Sequence, residues 1–364
     1  MKKRLIIFMP SVEGGGVEKN FFIISNYLAN KLGKIFLITA ENNLSKKFKN
    51  IEIISPYSNF WRNKGRFRKY IICVLLLIKM LLKNRNSLVL SFQANLYSIL
   101  ICKLFKIRVI SRSNSSPSGW SKNSIKNYIY KVGLSLADAI IVNSVEFKTE
   151  MKKKFSINPI HIYNPLNKLE VIKLSKKKLN TKIFKSNKNL NILNVGRLVD
   201  QKDQITLIKA INLIKGKIPL EVIIMGRGIL KKKLENYIEN NNLKSIIKII
   251  DFKDNPFNYI KKSELFILTS AFEGLPNVLL EAQTLKKFII SSSCPTGPRE
   301  ILLNGKAGFL FKVNNAYQLS KKILEYYKSK KKLNKMINLG FKKLERFDEE
   351  KNLKKHFNLI NKYL

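Results

Sequence analysis

The feature that most limits the fold is a rhythm of short apolar runs separated by helical stretches. RLIIFMP (4–10), KIFLITA (34–40), IEIIS (51–55), SLVLSF (87–92), IRVIS (107–111) and AIIVNS (139–144) occupy the first half of the chain. NILNVG (191–196), LEVIIMG (220–226), IIKIIDF (246–252), LFILTS (265–270), KFIISS (287–292) and GFLFKV (308–313) occupy the second. The runs are near-continuous in apolar character rather than alternating, as strands buried on both faces of a parallel sheet are. Helical segments between successive runs imply right-handed βαβ units. The expected fold class is α/β, with two doubly wound parallel-sheet, Rossmann-like domains and small ligands in a cleft at the strands' carboxyl ends. At 364 residues, 45% of them hydrophobic, the chain can supply both cores. The expected divisions are an N-terminal domain over 1–165, a Lys- and Asn-rich linker with a short helix over 166–190, and a second domain over 191–340. A helical segment over 341–364 is placed last, free to cross back to the first domain.

Several classes lose support at once. No run of 18 or more apolar residues exists, so a membrane-spanning helix is not expected. The basic N-terminus is followed by only about five apolar residues, short of a signal peptide, so a cytosolic location is expected. Cys73, Cys102 and Cys294 are odd in number and widely spaced, and only His161 and His356 are available beside them. That set supports neither a disulfide framework nor a zinc site.

Lys and Arg number 69 against 24 Asp and Glu, a formal charge of +45. Part of this reflects a composition rich in Lys, Asn and Ile. The distribution says more: residues 53–137 contain no acidic side chain and fifteen Lys or Arg. Within them, residues 63–85 hold about a dozen apolar residues interrupted by Lys79 and flanked by Arg66, Arg68, Lys69, Lys83 and Arg85. This segment is too short to span a bilayer. It reads either as a buried helix or as a basic amphipathic surface resting on anionic lipid, with Arg66, Arg68 and Lys69 as the surface cations. A nucleic-acid partner would suit the charge, but the chain shows no RRM, KH or helix-turn-helix pattern.

Four segments carry chemistry. SVEGGGVEKNFF follows the first strand, and its glycines bring backbone amides near a helix start, where anions bind. Lys19 stands where a third dinucleotide-motif glycine would be, and the P-loop spacing is absent, so nicotinamide and P-loop chemistry lose support. NVGRLVDQKD places Arg197 and Lys202 at a strand's carboxyl end, where two cations can offset a pyrophosphate leaving group. TSAFEGLPNVLLEA sets Glu273 in a loop and Glu281 about two turns into a helix that should begin just after Gly274, with Pro276 in its first turn. The amides of Asn277 and Val278 would face phosphates. SCPTGPREILLNGKAGFLF adds a Gly-Pro turn into a further helix.

Taken together, GGGVEKN, VGRLVDQKD, FEGLPNVLLE and CPTGPREIL resemble the retaining glycosyltransferases of family 4, which have the GT-B fold. The resemblance spans nearly the whole chain and points to bacterial members that build lipid-linked oligosaccharide, lipopolysaccharide or capsule. It implies transfer of a hexose or N-acetylhexosamine from a nucleotide-diphosphate sugar to a saccharide acceptor, with retention. Gly15 and Gly16 would approach the donor diphosphate, Arg197 and Lys202 would bind it, Glu273 would contact the donor sugar and Glu281 the ribose. Backbone groups from Phe252 to Asp254 would bracket the base. Many relatives carry an acceptor-domain histidine where this chain reads ISRSNSSPSGW; Arg112, Ser113 or Asn114 would cover that role, giving Arg112 and Asn114 as acceptor-binding candidates. No Asp-x-Asp motif is present, so metal-independent transfer without a cofactor is expected. The expected partners are a nucleotide sugar, a saccharide or polyprenyl-linked acceptor and an anionic membrane surface, placing the protein on the inner face of the cytoplasmic membrane. A sugar-nucleotide epimerase of the same fold is the alternative, and a basic nucleic-acid-binding protein the more distant one.

Overall fold

The structure, a computed structural model, describes residues 4–364 apart from 13, 42, 45–47, 62, 63, 121, 122, 180–182, 185 and 187. It divides into two compact units, Met1–Pro165 with Glu349–Leu364, and Leu166–Asp348. The first unit runs β1 (Arg4–Phe8), α1 (Gly16–Leu32), β2 (Ile35–Ile38), β3 (Ile51–Ile54), α2 (Arg66–Lys83), β4 (Ser87–Ser91) and α3 (Asn95–Leu104). It continues through β5 (Arg108–Ser113), α4 (Ser124–Ser135), β6 (Ala139–Val142), α5 (Val145–Phe155) and β7 (Ile160–His161). The second unit runs α6 (Lys168–Ser175), β8 (Leu190–Val195), α7 (Gln204–Asn212), β9 (Leu220–Met225), α8 (Lys231–Asn240), β10 (Ile247–Ile250) and α9 (Phe257–Lys262). It ends with β11 (Leu265–Leu268), α10 (Asn277–Thr284), β12 (Phe288–Ser292), α11 (Pro298–Ile301), β13 (Phe309–Phe311), α12 (Ala316–Ser329) and α13 (Asn334–Lys342). A final helix, α14 (Glu349–Tyr363), returns to the first unit.

Among the described residues the strands form a seven-stranded sheet, β3-β2-β1-β4-β5-β6-β7, and a six-stranded one, β10-β9-β8-β11-β12-β13. All pairings between named strands are parallel. The two-residue strand β7 adds one element to the twelve expected. It closes an edge at INPIHIY, where brevity and Pro159 leave no strand-length pattern to read.

Burial follows the two backbone periods. On one face of the first sheet, Leu5 and Ile7 pack with Phe21, Ile24 and Leu28 of α1 and Leu353 and Ile360 of α14. On the other, Ile6 and Phe8 pack with Cys73, Leu77 and Leu81 of α2 and Ile99 and Cys102 of α3. Each such side chain taken fully from water contributes about 1.5–3 kcal/mol. Several helices start where the sequence supplies a cap: Ser144 accepts from the Phe147 amide at 3.1 Å and Asn315 from that of Gln318 at 2.8 Å. The free cysteines are buried, and burial pushes the Cys73 and Cys102 thiols up to about 12.

Three expectations change. Helix α6 lies in the stretch expected to be linker but packs against α9 and α10, so it belongs to the second unit. The middle of that linker, 180–182, 185 and 187, lies outside the described residues. The return to the first unit begins at 349 rather than 341. Lys69 is not a surface cation. It is 6% exposed, with its Nζ 2.6 Å from Glu41 Oε1. Helical spacing puts it on one stripe with Cys73, Leu77 and Leu81, so the ammonium turns inward and takes a carboxylate partner. Arg66 and Arg68 remain exposed.

His356 of α14 is 1% exposed, with Nδ1 2.8 Å from the Asn352 carbonyl oxygen. Burial, reinforced by the charge of Arg112, pushes its pKa down to about 3. The unfolded chain therefore takes up the proton first. Stability is fully present above about pH 6.5 and falls by up to about 1.4 kcal/mol per pH unit as pH drops toward 3. Urea midpoints measured from pH 7 to 4 should fall for the wild type and fall less steeply for His356→Gln. Equal slopes would contradict the assignment.

Candidate active site

In the six-stranded sheet the connections leave β8 toward β9 and return, after β10, to β11. The point where the order reverses lies between β8 and β11. Loops that diverge from two adjacent strand ends open a crevice there. Both candidate motifs are these loops. Residues 196–203 follow β8 and residues 269–276 follow β11.

The two loops are joined by several hydrogen bonds. The Ala271 amide donates to Gln201 O at 2.8 Å. Gln201 Nε2 donates to Phe272 O at 3.0 Å and Thr269 Oγ1 to Lys202 O at 2.9 Å. Across this joint Lys202 Nζ lies 2.5 Å from Glu273 Oε1, which also accepts from Ser270 Oγ at 2.6 Å. Both side chains of the ion pair are largely buried. Thr296 Oγ1 donates to Glu273 O at 2.7 Å, fastening the loop after β12 to the same carboxylate-bearing turn. Arg197 is exposed, its Nη2 3.4 Å from Gln201 Oε1 and its carbonyl accepting from Gln204 Nε2 at 2.9 Å.

Two glycines let these loops close. A Cβ on Gly226, after β9, would stand 1.9 Å from Gly196 O, so only glycine fits beside the β8 loop. Gly297 has φ +89°, and a Cβ there would stand 2.5 Å from Gly274 O.

Thus the structure brings Lys202 and Glu273 into contact and sets Arg197 on the same loop. Helix α10 begins at Asn277, with Pro276 just before it rather than inside its first turn. Asn277 and Val278 form the partly exposed start of α10, and Glu281, 7% exposed, lies in its second turn. Phe252 and Asp254 are exposed in the loop after β10, two strands from β8. Gly15 and Gly16 lie in the other unit, at the start of α1. A Cβ on Gly15 would meet Glu18 Oε2 at 3.1 Å, so a carboxylate already sits beside that glycine turn.

Of the two acceptor-side candidates, Arg112 is corrected. Arg112 is completely buried, with Nη2 2.7 Å from Asn164 Oδ1 and Nη1 bonded to Asn114 Oδ1. Burial lowers its pKa to about 10. Asn114 Nδ2 donates to Phe92 O at 3.1 Å. Both residues clasp strand ends inside the first unit; Arg112 presents no surface to an acceptor, whereas Asn114 is half-buried. Sequence reading missed Gln201, Gln204, Ser270, Thr296 and Gly226. Their signal was faint: uncharged polar residues, or a glycine, in the segments that follow buried strands.

Among the described residues no cluster of three His, Cys, Asp or Glu could hold a metal ion. Gly226→Ala should destabilise the protein by about 1–3 kcal/mol, the range for forcing extra volume into a packed site. A urea melt with an unchanged midpoint would show that the loops do not need this close approach.

The family model described as "Glycosyl transferases group 1" matches residues 175–343. An uncharacterized glycosyltransferase of Methanocaldococcus jannaschii is 35% identical over 225 residues, 56% of this chain and 53% of that protein. The N-acetylgalactosamine-N,N'-diacetylbacillosaminyl-diphospho-undecaprenol 4-alpha-N-acetylgalactosaminyltransferase of Campylobacter jejuni is 30% identical over 226 residues, 60% of each chain. The chain thus spans between about half and three fifths of these curated relatives. The solved structure of Anabaena HepE in complex with UDP and glucose superposes with a TM-score of 0.79 at 16% identity, covering 99% of this chain and 100% of that one. The chain has the GT-B fold, and residues 175–343 carry its match to the group 1 glycosyl transferases.

Proposed function

We propose that this protein is a retaining glycosyltransferase of family 4. It moves a hexose or N-acetylhexosamine from a nucleotide-diphosphate sugar to a lipid-linked saccharide, at the inner face of an anionic cytoplasmic membrane. The observation that carries this reading is the Lys202–Glu273 pair at the reversal point between β8 and β11, inside the segment matched to the group 1 family. The Campylobacter relative, named for a diphospho-undecaprenol-linked acceptor, supports the acceptor class, and the HepE complex supports a uridine donor.

Glycosyl transfer breaks a bond to a diphosphate through an oxocarbenium-like state, so offsetting the charge of the departing group is the main task. In this reading Lys202 leaves its partner carboxylate for the diphosphate as the donor arrives, and Arg197 approaches from the same loop. Amides at the start of α10 add fixed partial positive charge. Glu273, released from Lys202 but still held by Ser270, receives donor sugar hydroxyls. Glu281 holds the ribose, and the loop from Phe252 to Asp254 brackets the base. The first unit receives the acceptor. These cations let transfer proceed without a metal.

Incubating the protein with UDP- and GDP-sugars and a polyprenyl-diphosphate saccharide should yield an elongated lipid-linked product. An altered sugar nucleotide formed from donor alone would instead identify an epimerase. Glu273→Gln should lower kcat by about 10²–10³, the effect of removing one preorganised polar group, while the melting curve stays cooperative. Near-normal turnover would overturn its role. Arg197→Ala and Lys202→Ala should each weaken UDP or GDP binding by about 1.5–3 kcal/mol, read by calorimetry. Wild-type affinity in both would mean the phosphates bind elsewhere. Transfer should persist in EDTA, and an absolute requirement for added magnesium or manganese would refute the metal-independent reading.

A further inference from the structure

Helices α2, α3 and α4 cover one face of the first sheet, with α3 packed against both α2 and α4. Each turns apolar residues inward, as a surface helix must: Leu77 and Leu81 from α2, Ile99 from α3, Leu134 from α4. Each also turns apolar residues outward. Ile71 and Leu75 on α2, Leu100 and Leu104 on α3, and Tyr128 and Ile129 on α4 are all exposed, Leu104 by 76% and Tyr128 by 68%. Scattered exposed leucines are ordinary, but outward-facing apolar residues on three neighbouring helices are not.

Charge decides what covers them. Residues 66–136, which hold all three helices, contain no Asp or Glu. Lys79, Lys83, Lys126 and Lys131 are exposed among or beside the apolar positions, with Arg66 and Arg68 at the start of α2. A second copy of this face would bring cations against cations. An anionic bilayer supplies both complements, acyl chains for the leucines and headgroup charge for the lysines. No described helix is long and apolar enough to cross the membrane.

Resting on the reading of the acceptor as lipid-linked, we propose that the outer face of α2, α3 and α4 inserts into the headgroup–acyl boundary of an anionic membrane. The face lies in the unit assigned to the acceptor, so seating it in the bilayer holds that unit where a lipid-carried saccharide is found. Its apolar part makes the attachment resistant to salt, whereas the cations alone would give attachment that salt releases.

The test is vesicle flotation with phosphatidylglycerol/phosphatidylcholine and pure phosphatidylcholine vesicles, at low and high salt. The wild type should float with the anionic vesicles and keep part of that binding at high salt. The variant Leu75→Ser/Leu104→Ser/Ile129→Ser should lose at least about tenfold in affinity and all of the salt-resistant part. UDP binding and a cooperative melt should be unchanged in that variant, showing that the fold and the donor site are intact. Lys79→Gln/Lys126→Gln/Lys131→Gln should weaken low-salt binding while keeping the salt-resistant part. Equal flotation of the wild type and the serine variant would overturn insertion through this face, leaving the acceptor reading intact. Flotation of neither would overturn membrane attachment, and product analysis with a lipid-linked acceptor in detergent would then judge the acceptor reading separately. A wild type that is dimeric without lipid, converted to monomer by the serine changes, would assign the face to a second copy and refute the proposal.

Discussion

Parallel pairing is the constraint on which the rest depends. When every strand in a sheet runs the same way, every carboxyl end lies on one edge, and each strand must be reached by a crossover, in most cases here a helical one. The crossovers cover both faces, which is why the strands are apolar throughout rather than every second residue. They also leave one place in each sheet where neighbouring connections part. In the second unit that place separates β8 from β11, and the residues with chemical reach lie on the two loops that follow.

The Lys202–Glu273 contact combines two demands that pull against each other. A largely buried ion pair loses hydration on both partners, and recovers it only when geometry and further hydrogen bonds are good. Here Ser270 shares the same carboxylate oxygen, and Thr296 holds the backbone of the glutamate. The pair thereby keeps two loops in register before any ligand arrives. A ligand bearing its own negative charge can exchange for the carboxylate at the lysine without leaving a buried cation unpartnered. A removed lysine leaves a largely buried carboxylate that keeps the Ser270 hydrogen bond but has lost the cation that balanced its charge.

Much of the architecture was legible because it rests on long, strongly patterned segments. The apolar runs located the strands to within a residue or two, and β7 escaped because two residues cannot carry a pattern. The motifs located Lys202 and Glu273, since charged residues at the ends of buried strands stand out. Less legible were matters settled by three-dimensional packing. Lys69 and Arg68 are neighbours in sequence and look alike as cations, yet a 100° step around α2 sends one to Glu41 and the other to solvent. Arg112 read as a cation available to a ligand, whereas the fold encloses it between two asparagines. Gln201 and Thr296 make bonds whose partners lie tens of residues away, and no local spacing announces such a pairing.

The return of α14 to the first unit bears on how the chain is made. Leu353 and Ile360 complete a core whose other members belong to residues 5–162, and the Tyr363 hydroxyl donates to Asp138 O at 3.1 Å. During synthesis the amino-terminal sheet therefore emerges with α1 but without the second helix of that face, which follows only after the whole second unit. The second unit, contiguous from Leu166 to Asp348, has all its parts earlier. Order of emergence and order of completion are thus reversed. For the duration of translating the second unit, the apolar strip that α14 will cover is left for α1, water or a chaperone to shield.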